Sequence, residues 1–160
     1  MDTDVAEPAR DAAPELAQLL ARARTSADAL WARARRLHAG PAHRTYTRIH
    51  SALDHDVWVI VWGPGSGIDL HDHGGSAGAF AVARGSLTEI DEAPDGTRTT
   101  REVSVGDGRR IDPGVRHAVR NDGGTPAVSV HVYSPPLARM RFYDGPDAPR
   151  EEAVDEGMSR

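Results

Sequence analysis

The residues best suited to chemistry in this chain are imidazoles. His71-Asp72-His73 follows the glycine-rich turn Gly63-Pro64-Gly65 and reads as the opening of a strand. Side chains two apart on a strand share a face, so both rings can reach one ion while Asp72 points away. An H-x-H pair also arises by chance on surfaces, and alone it says little. A second block follows downstream, in which Gly106, Gly114, His117 and Asn121 form a G-x7-G-x2-H-x3-N pattern. His38, His43, His50 and His55 have no such spacing and read as structural or exposed. The 160 residues include no cysteine, which excludes a disulfide framework, a thiolate metal site and a cysteine nucleophile.

The elements that must position these groups change character along the chain. Residues 1–13 mix Asp, Ala, Pro and Arg without periodicity and read as a disordered leader. Leu16, Leu19, Leu20, Leu30, Trp31 and Leu37 recur at helical spacing, interrupted by the capping residues Thr25, Ser26 and Asp28, which predicts a cap of short helices over 14–40. From residue 44 the pattern is one of short β-branched or alternating runs. These are Tyr46 to Ser51, Val57 to Trp62, Ala79 to Ala83, Ser86 to Asp91, Thr97 to Val105, Val115 to Asn121, Ala127 to Ser134 and a last one near Ala138 to Tyr143. Turn clusters such as Pro94-Asp95-Gly96 and Gly106-Asp107-Gly108 separate them, and the whole predicts an antiparallel sandwich or barrel. The chain is thus expected to be one domain over 14–143, with the barrel at 44–143 and a mobile acidic tail at 144–160. The net charge of −5 has no basic block set against it, so neither nucleic acid nor an anionic membrane is an expected partner. No secretory signal is visible, and a cytoplasmic monomer is expected.

Gly65, His71, His73 and Gly85, followed by Gly106, Gly114, His117 and Asn121, resemble the two-part signature of the cupin superfamily. The resemblance implies a compact, jelly-roll-like β-barrel in which His117 joins the first two histidines. Two departures stand out. The signature's carboxylate ligand is absent, because Gly74 to Phe80 contain no Asp or Glu, and its proline falls at Asp112, with Pro113 one place late. Three neutral imidazoles suit zinc, copper and iron alike. They leave a divalent ion its full charge and favour an anionic ligand from the substrate, for which a thiolate fits. Asp69 shares the strand face of His71, although an Asp two residues before the pair more often bonds neighbouring backbone.

A narrower resemblance, to the cysteine dioxygenases, is carried by Tyr46-Thr47-Arg48, by Trp62-Gly63-x-Gly65 leading to Leu70-His71-Asp72-His73 with Ser76, and by Ser129-Val130-His131-Val132-Tyr133-Ser134-Pro135-Pro136. It implies that His71, His73 and His117 bind Fe(II), and that Arg48 clamps the substrate carboxylate with Tyr46 beside it. Trp62 would wall the pocket, and Tyr133 would aim its hydroxyl at substrate and dioxygen, positioned by His131 and Ser129. The Ser134-Pro135 bond is expected to be cis. Ser129, His131 and Tyr133 alternate along one strand and can therefore form a hydrogen-bond chain, and Arg offers a planar fork that Lys cannot match. Outside this context Arg48 would read as surface, Tyr133 as a core tyrosine and His131 as a buried structural histidine. Many members carry a cysteine cross-linked to the active-site tyrosine; here Gly78 stands in its place. The implied reaction is oxidation of L-cysteine by O₂ to its sulfinic acid. A 3-mercaptopropionate dioxygenase, whose relatives have a glutamine at the place of Arg48, a non-catalytic metal- or ligand-binding cupin and a zinc-dependent isomerase are the alternatives.

Overall fold

The computed structural model describes residues 17–18, 20–21, 37–145 and 147–154. Eleven strands follow one another: β1 (Arg44–Ser51), β2 (Asp56–Trp62), β3 (Gly67–Asp72), β4 (Ala77–Arg84), β5 (Ser86–Glu92), β6 (Arg98–Ser104), β7 (Gly108–Ile111), β8 (Arg116–Arg120), β9 (Ala127–Ser134), β10 (Arg139–Phe142) and β11 (Arg150–Ala153). They form two antiparallel sheets, ordered β1-β2-β9-β4-β7 and β11-β10-β3-β8-β5-β6. The antiparallel barrel expected from the alternating runs, jelly-roll-like as the cupin resemblance implies, is the fold observed. No helix among the described residues is long and apolar enough to cross a membrane.

β2 and β9 are buried along nearly their whole length, because both faces of the five-stranded sheet are covered. Val57, Val59 and Val61 face outward with Val128, Val130, Val132, Ala77, Ala79 and Ala81, packing under Leu20, Leu37, Ala39 and Ile49. Residues 17, 18, 20 and 21 are helical, and Leu20 is buried. The rest of the expected cap up to residue 36, the leader over 1–13 and residues 155–160 lie outside the described residues. Each fully buried valine, Val59 or Val132 for example, contributes about 1.5–3 kcal/mol relative to exposure. The alternate residues of β2, Trp58, Ile60 and Trp62, point inward to the cavity between the sheets.

Two loop devices fix the end of β2. A Cβ on Gly63 would lie 2.0 Å from the Gly40 carbonyl oxygen, so only glycine lets the segment before β1 cross there; Gly63 N–H donates to His43 O at 2.9 Å. Asn121, singled out by its motif, is buried and donates from Nδ2 to the Trp62 and Thr125 carbonyls at 2.9 and 2.8 Å. It fastens the end of β8 to the end of β2.

Three elements differ from expectation. β7 starts on the last residue of the Gly106-Asp107-Gly108 turn and runs through residues given no strand, where Ile111 is buried opposite Gly78. The histidine pair closes a strand instead of opening one, since β3 ends at Asp72 and His73 begins the turn that Ser76 N–H closes onto His73 O. Finally, β11 carries the barrel past residue 143, into the stretch expected to be a mobile tail. It pairs with β10; Arg139 binds Glu151 at 2.7 Å and the Arg150 guanidinium lies 4.3 Å over the Phe142 ring, so ion pairs and cation–π contact replace the apolar pattern a sequence search looks for.

Candidate metal centre and active site

β3 and β8 are neighbours, and their register sets His71 directly opposite His117. His73, one residue past β3, turns back to the same point. Nε2 of His73 lies 3.1 Å from Nε2 of His71 and 3.2 Å from Nε2 of His117. All three rings are buried. Burial, and then the neighbouring imidazoles, push His71 and His73 well below the ordinary histidine range, so both are neutral. The outer nitrogens fix the tautomers. His71 Nδ1–H donates to the Asp69 carbonyl at 2.8 Å and His117 Nδ1–H to the Glu89 carboxylate at 3.0 Å, which leaves Nε2 of the neutral His71 a bare lone pair and turns Nε2 of His117 toward His73. Several desolvated lone pairs aimed at one point are what a cation would satisfy, and these three residues form a group able to hold one. The Asp69 carboxylate is not in that group.

Glu89 is the residue that sequence reasoning missed. It is fully buried. Burial pushes its pKa up, but the His117 and Arg109 hydrogen bonds outweigh that and hold it below the ordinary value. Arg109 Nε donates to Glu89 Oε2 at 2.5 Å and Nη2 to Asp91 at 3.1 Å, and Arg101 pairs with Asp91 as well. Glu89, Asp91 and His117 also lie close enough to hold a cation. Two arginines already neutralise those carboxylates, however, so the cluster is a salt-bridge network whose role is to orient His117. The sequence did carry a signal: Glu89 is two residues from the buried Leu87 on one strand, which puts a carboxylate on an inward face.

Across the cavity, β9 brings Ser129, His131 and Tyr133 to one face. Trp62 Nε1–H donates to Ser129 Oγ at 2.8 Å, Ser129 Oγ lies 2.8 Å from His131 Nε2, and His131 Nδ1 lies 3.3 Å from the Tyr133 hydroxyl. Burial, with lesser contributions from His117 and Arg44, lowers His131 to about 3, so the ring carries a single proton. The fully buried Ser129 hydroxyl needs an acceptor, and His131 Nε2 supplies it. The proton of His131 therefore sits on Nδ1 and is donated to Tyr133, which leaves the Tyr133 O–H for the cavity. Burial raises the Tyr133 pKa, so this hydroxyl stays protonated. The Tyr133 ring packs edge-on to His73 with centroids 4.9 Å apart, and Phe80 stacks on His131 at 5.0 Å.

His71, His117, His131 and Tyr133 share one cavity of about 560 Å³, lined also by Tyr46 and Trp62, and His73 borders a neighbouring pocket. Arg48 is not among the lining residues; its guanidinium lies 5.7 Å over the Trp58 ring. Arg44, two residues before Tyr46, lines the cavity instead. The Ser134-Pro135 peptide bond is cis.

Three convergent imidazoles between the sheets of an antiparallel jelly roll define a metal-capable cupin. The family model for cysteine dioxygenase type I matches residues 8–146. The chain belongs to that family. Cysteine dioxygenase type 1 of Rattus norvegicus is 31% identical over 103 residues, covering 56% of this chain and 49% of its own. The auxin-binding protein ABP19a of Prunus persica is 30% identical over 82 residues, 51% of this chain and 39% of its own. The chain thus spans about half the length, or less, of these curated relatives. Among solved structures, the protein TT1209 from Thermus thermophilus superposes with a TM-score of 0.56 at 19% identity, over 64% of this chain and 92% of that one, a likeness of fold.

Gly78 gives the geometry a direct test. An added Cβ would lie 3.2 Å from Tyr133 Cε1 and 3.2 Å from His73 Nδ1, and φ at Gly78 is outside the left-handed region. A side chain there is crowded by a few tenths of an ångström but points at the edge of the tyrosine ring. Gly78→Cys, incubated aerobically with iron and cysteine, is expected to gain a thioether to Tyr133, the thiol and ring hydrogens passing to dioxygen. Mass spectrometry should show the loss of two hydrogens and a digest peptide joining the two segments. A folded, iron-loaded variant that keeps a free thiol would contradict this juxtaposition.

Proposed function

We propose that the protein is a non-haem iron thiol dioxygenase that converts a small thiol carboxylate, L-cysteine foremost, to its sulfinic acid. The observation that carries this is the pairing, in one cavity, of an all-histidine metal centre with a tyrosine whose proton is directed inward by a buried Ser-His relay. A binding-only cupin has no use for that relay. His71, His73 and His117 would hold Fe(II), which when bound supplies the electronic pathway between a thiolate and ground-state dioxygen. Three uncharged ligands favour arrival of the substrate as a thiolate. Sulfur gives up four electrons and takes both oxygen atoms, so no further reductant is needed.

The chain's own groups do the positioning. An arginine of β1 receives the carboxylate through a planar fork, while Trp62 and Tyr46 wall the substrate and exclude water. Tyr133 donates its hydroxyl hydrogen toward the reacting oxygen as negative charge develops there, and Ser129 and His131 keep that hydrogen facing inward.

The reading is tested by metal analysis of the purified protein, then oxygen uptake with L-cysteine and with 3-mercaptopropionate. Iron near one per chain and sulfinate formed in step with oxygen consumed are expected, with cysteine preferred. Oxidation of 3-mercaptopropionate alone would shift the substrate, and bound zinc without oxygen uptake would remove the dioxygenase.

A further inference from the structure

Asp72 lies between two of the histidines but alternates to the outer face of β3, where it is buried all the same. Both of its carboxylate oxygens are engaged. Oδ1 accepts the Gly74 N–H at 2.9 Å, and Oδ2 accepts the Tyr143 hydroxyl hydrogen at 2.5 Å. The first bond closes an aspartate turn, and Gly74, at φ +59°, takes the left-handed conformation that the turn needs. This is the turn that swings His73 back after β3 has ended. Tyr143 follows β10, which pairs with β3 where Arg141 stands opposite Asp72 and Phe142 opposite His71. Inside the barrel the Phe142 ring lies 5.6 Å from that of His71. Outside, Tyr143 holds Asp72, its own N–H donates to Leu70 O at 2.8 Å, and the Arg116 guanidinium lies 3.7 Å over its ring. Arg116 directly precedes His117 and is bound to Glu92 at 3.2 Å. Residues beside all three imidazoles thus meet on Tyr143. His73 depends on this most. His71 and His117 are each held by an outer nitrogen, whereas His73 Nδ1 is buried and meets no hydrogen-bond partner among the described residues. Its place is set by the turn and by packing against the Tyr133 ring.

We propose that Asp72 is a positioning residue of the metal centre: clasped by Gly74 and Tyr143, its carboxylate fixes the turn that sets His73 Nε2 toward His71 and His117. The inference rests on the reading of these histidines as a metal centre and holds whichever thiol is oxidised. A ligand whose ring has no outer hydrogen bond takes its aim from the backbone that carries it, so loosening that turn costs metal affinity as losing an outer partner does. Tyr143 acts through Asp72, tying β10 and, by way of the Arg116 contact, β8 to the same point.

The test is anaerobic titration of the metal-free protein with Fe(II) and with Co(II), whose visible absorption reports the number and geometry of its ligands. D72A is expected to bind both metals roughly 10- to 100-fold more weakly than wild type, with altered Co(II) absorption at saturation and unchanged circular dichroism. D72N, which keeps an acceptor for the Gly74 N–H, should recover most of the affinity. A purely structural aspartate would show its loss in melting temperature and leave Co(II) affinity and spectrum as they were. Y143F should weaken binding several-fold, and D72A/Y143F should bind no more weakly than D72A, because the hydroxyl acts only through Asp72. Wild-type Co(II) affinity in folded D72A overturns the assignment and leaves the metal centre standing. Additive losses in the double variant overturn the part given to Tyr143. Should D72A not fold, Y143F decides: weakened binding by folded protein retains the assignment, and unaltered binding overturns it. A wild type that binds neither metal overturns the metal centre itself and this assignment with it.

Discussion

If His71, His73 and His117 hold Fe(II) as proposed, replacing any one of them with alanine is expected to abolish most Fe(II) binding while leaving the barrel folded. Loss of an outer partner such as Glu89 typically costs about 10- to 100-fold in metal affinity, and loss of a ligand itself from a set of three should cost more. The fold should survive because β3 and β8 are joined by backbone pairing that needs no imidazole. There is also a stability signature. Without metal, His73 Nε2 is crowded by those of His71 and His117, 3.1 and 3.2 Å away in a desolvated place, and removing one ring relieves that crowding. Added Fe(II) should therefore raise the melting temperature of the wild type in proportion to its binding and hardly move that of the variants. Anaerobic iron titration with parallel circular dichroism gives both quantities. A variant that binds near-stoichiometric iron with wild-type affinity would take its histidine off the ligand set.

The second large effect belongs to Tyr133. Tyr133→Phe keeps the ring against His73 and deletes only the hydroxyl, so turnover should fall roughly 10- to 1000-fold, the range for one positioned proton donor. Stability should change little. The bond to His131 is long, 3.3 Å, and its loss beside a cavity that admits water should cost about 1 kcal/mol. Ser129→Ala is a companion variant: it removes the donor that fixes the His131 tautomer and should lower turnover with Tyr133 intact. If Tyr133→Phe turned over at the wild-type rate but melted far earlier, Tyr133 would be a core tyrosine and the proton relay would be dismissed.

Much of this site was legible because its parts obey a period of two. Ser129, His131 and Tyr133 alternate, as do Trp58, Ile60 and Trp62, and the glycine and proline turns marked where most strands begin. What escaped had physical reasons. β7 is four residues long and half arginine, so its one buried side chain, Ile111, gave no pattern. β11 is held by ion pairs, and a charged run resembles a solvated tail until its partners are known. Glu89 shares strand parity with Leu87, but Asp91 and Glu92 beside it on β5 made the run look solvated. Arg44 and Arg48 are equivalent by strand parity, and nothing in the sequence says which of them lines the cavity.

β11 has a consequence for the order in which the protein becomes competent. Arg150, Glu152, Ala153 and Val154 wall the cavity, yet they follow His71, His73 and His117, the three histidines able to hold a metal. During synthesis the three histidines and the Ser-His-Tyr relay emerge first, and the wall is laid against them last. A nascent chain that has emerged only as far as β10 thus lacks one wall of the cavity beside these histidines, and gains it once β11 has followed.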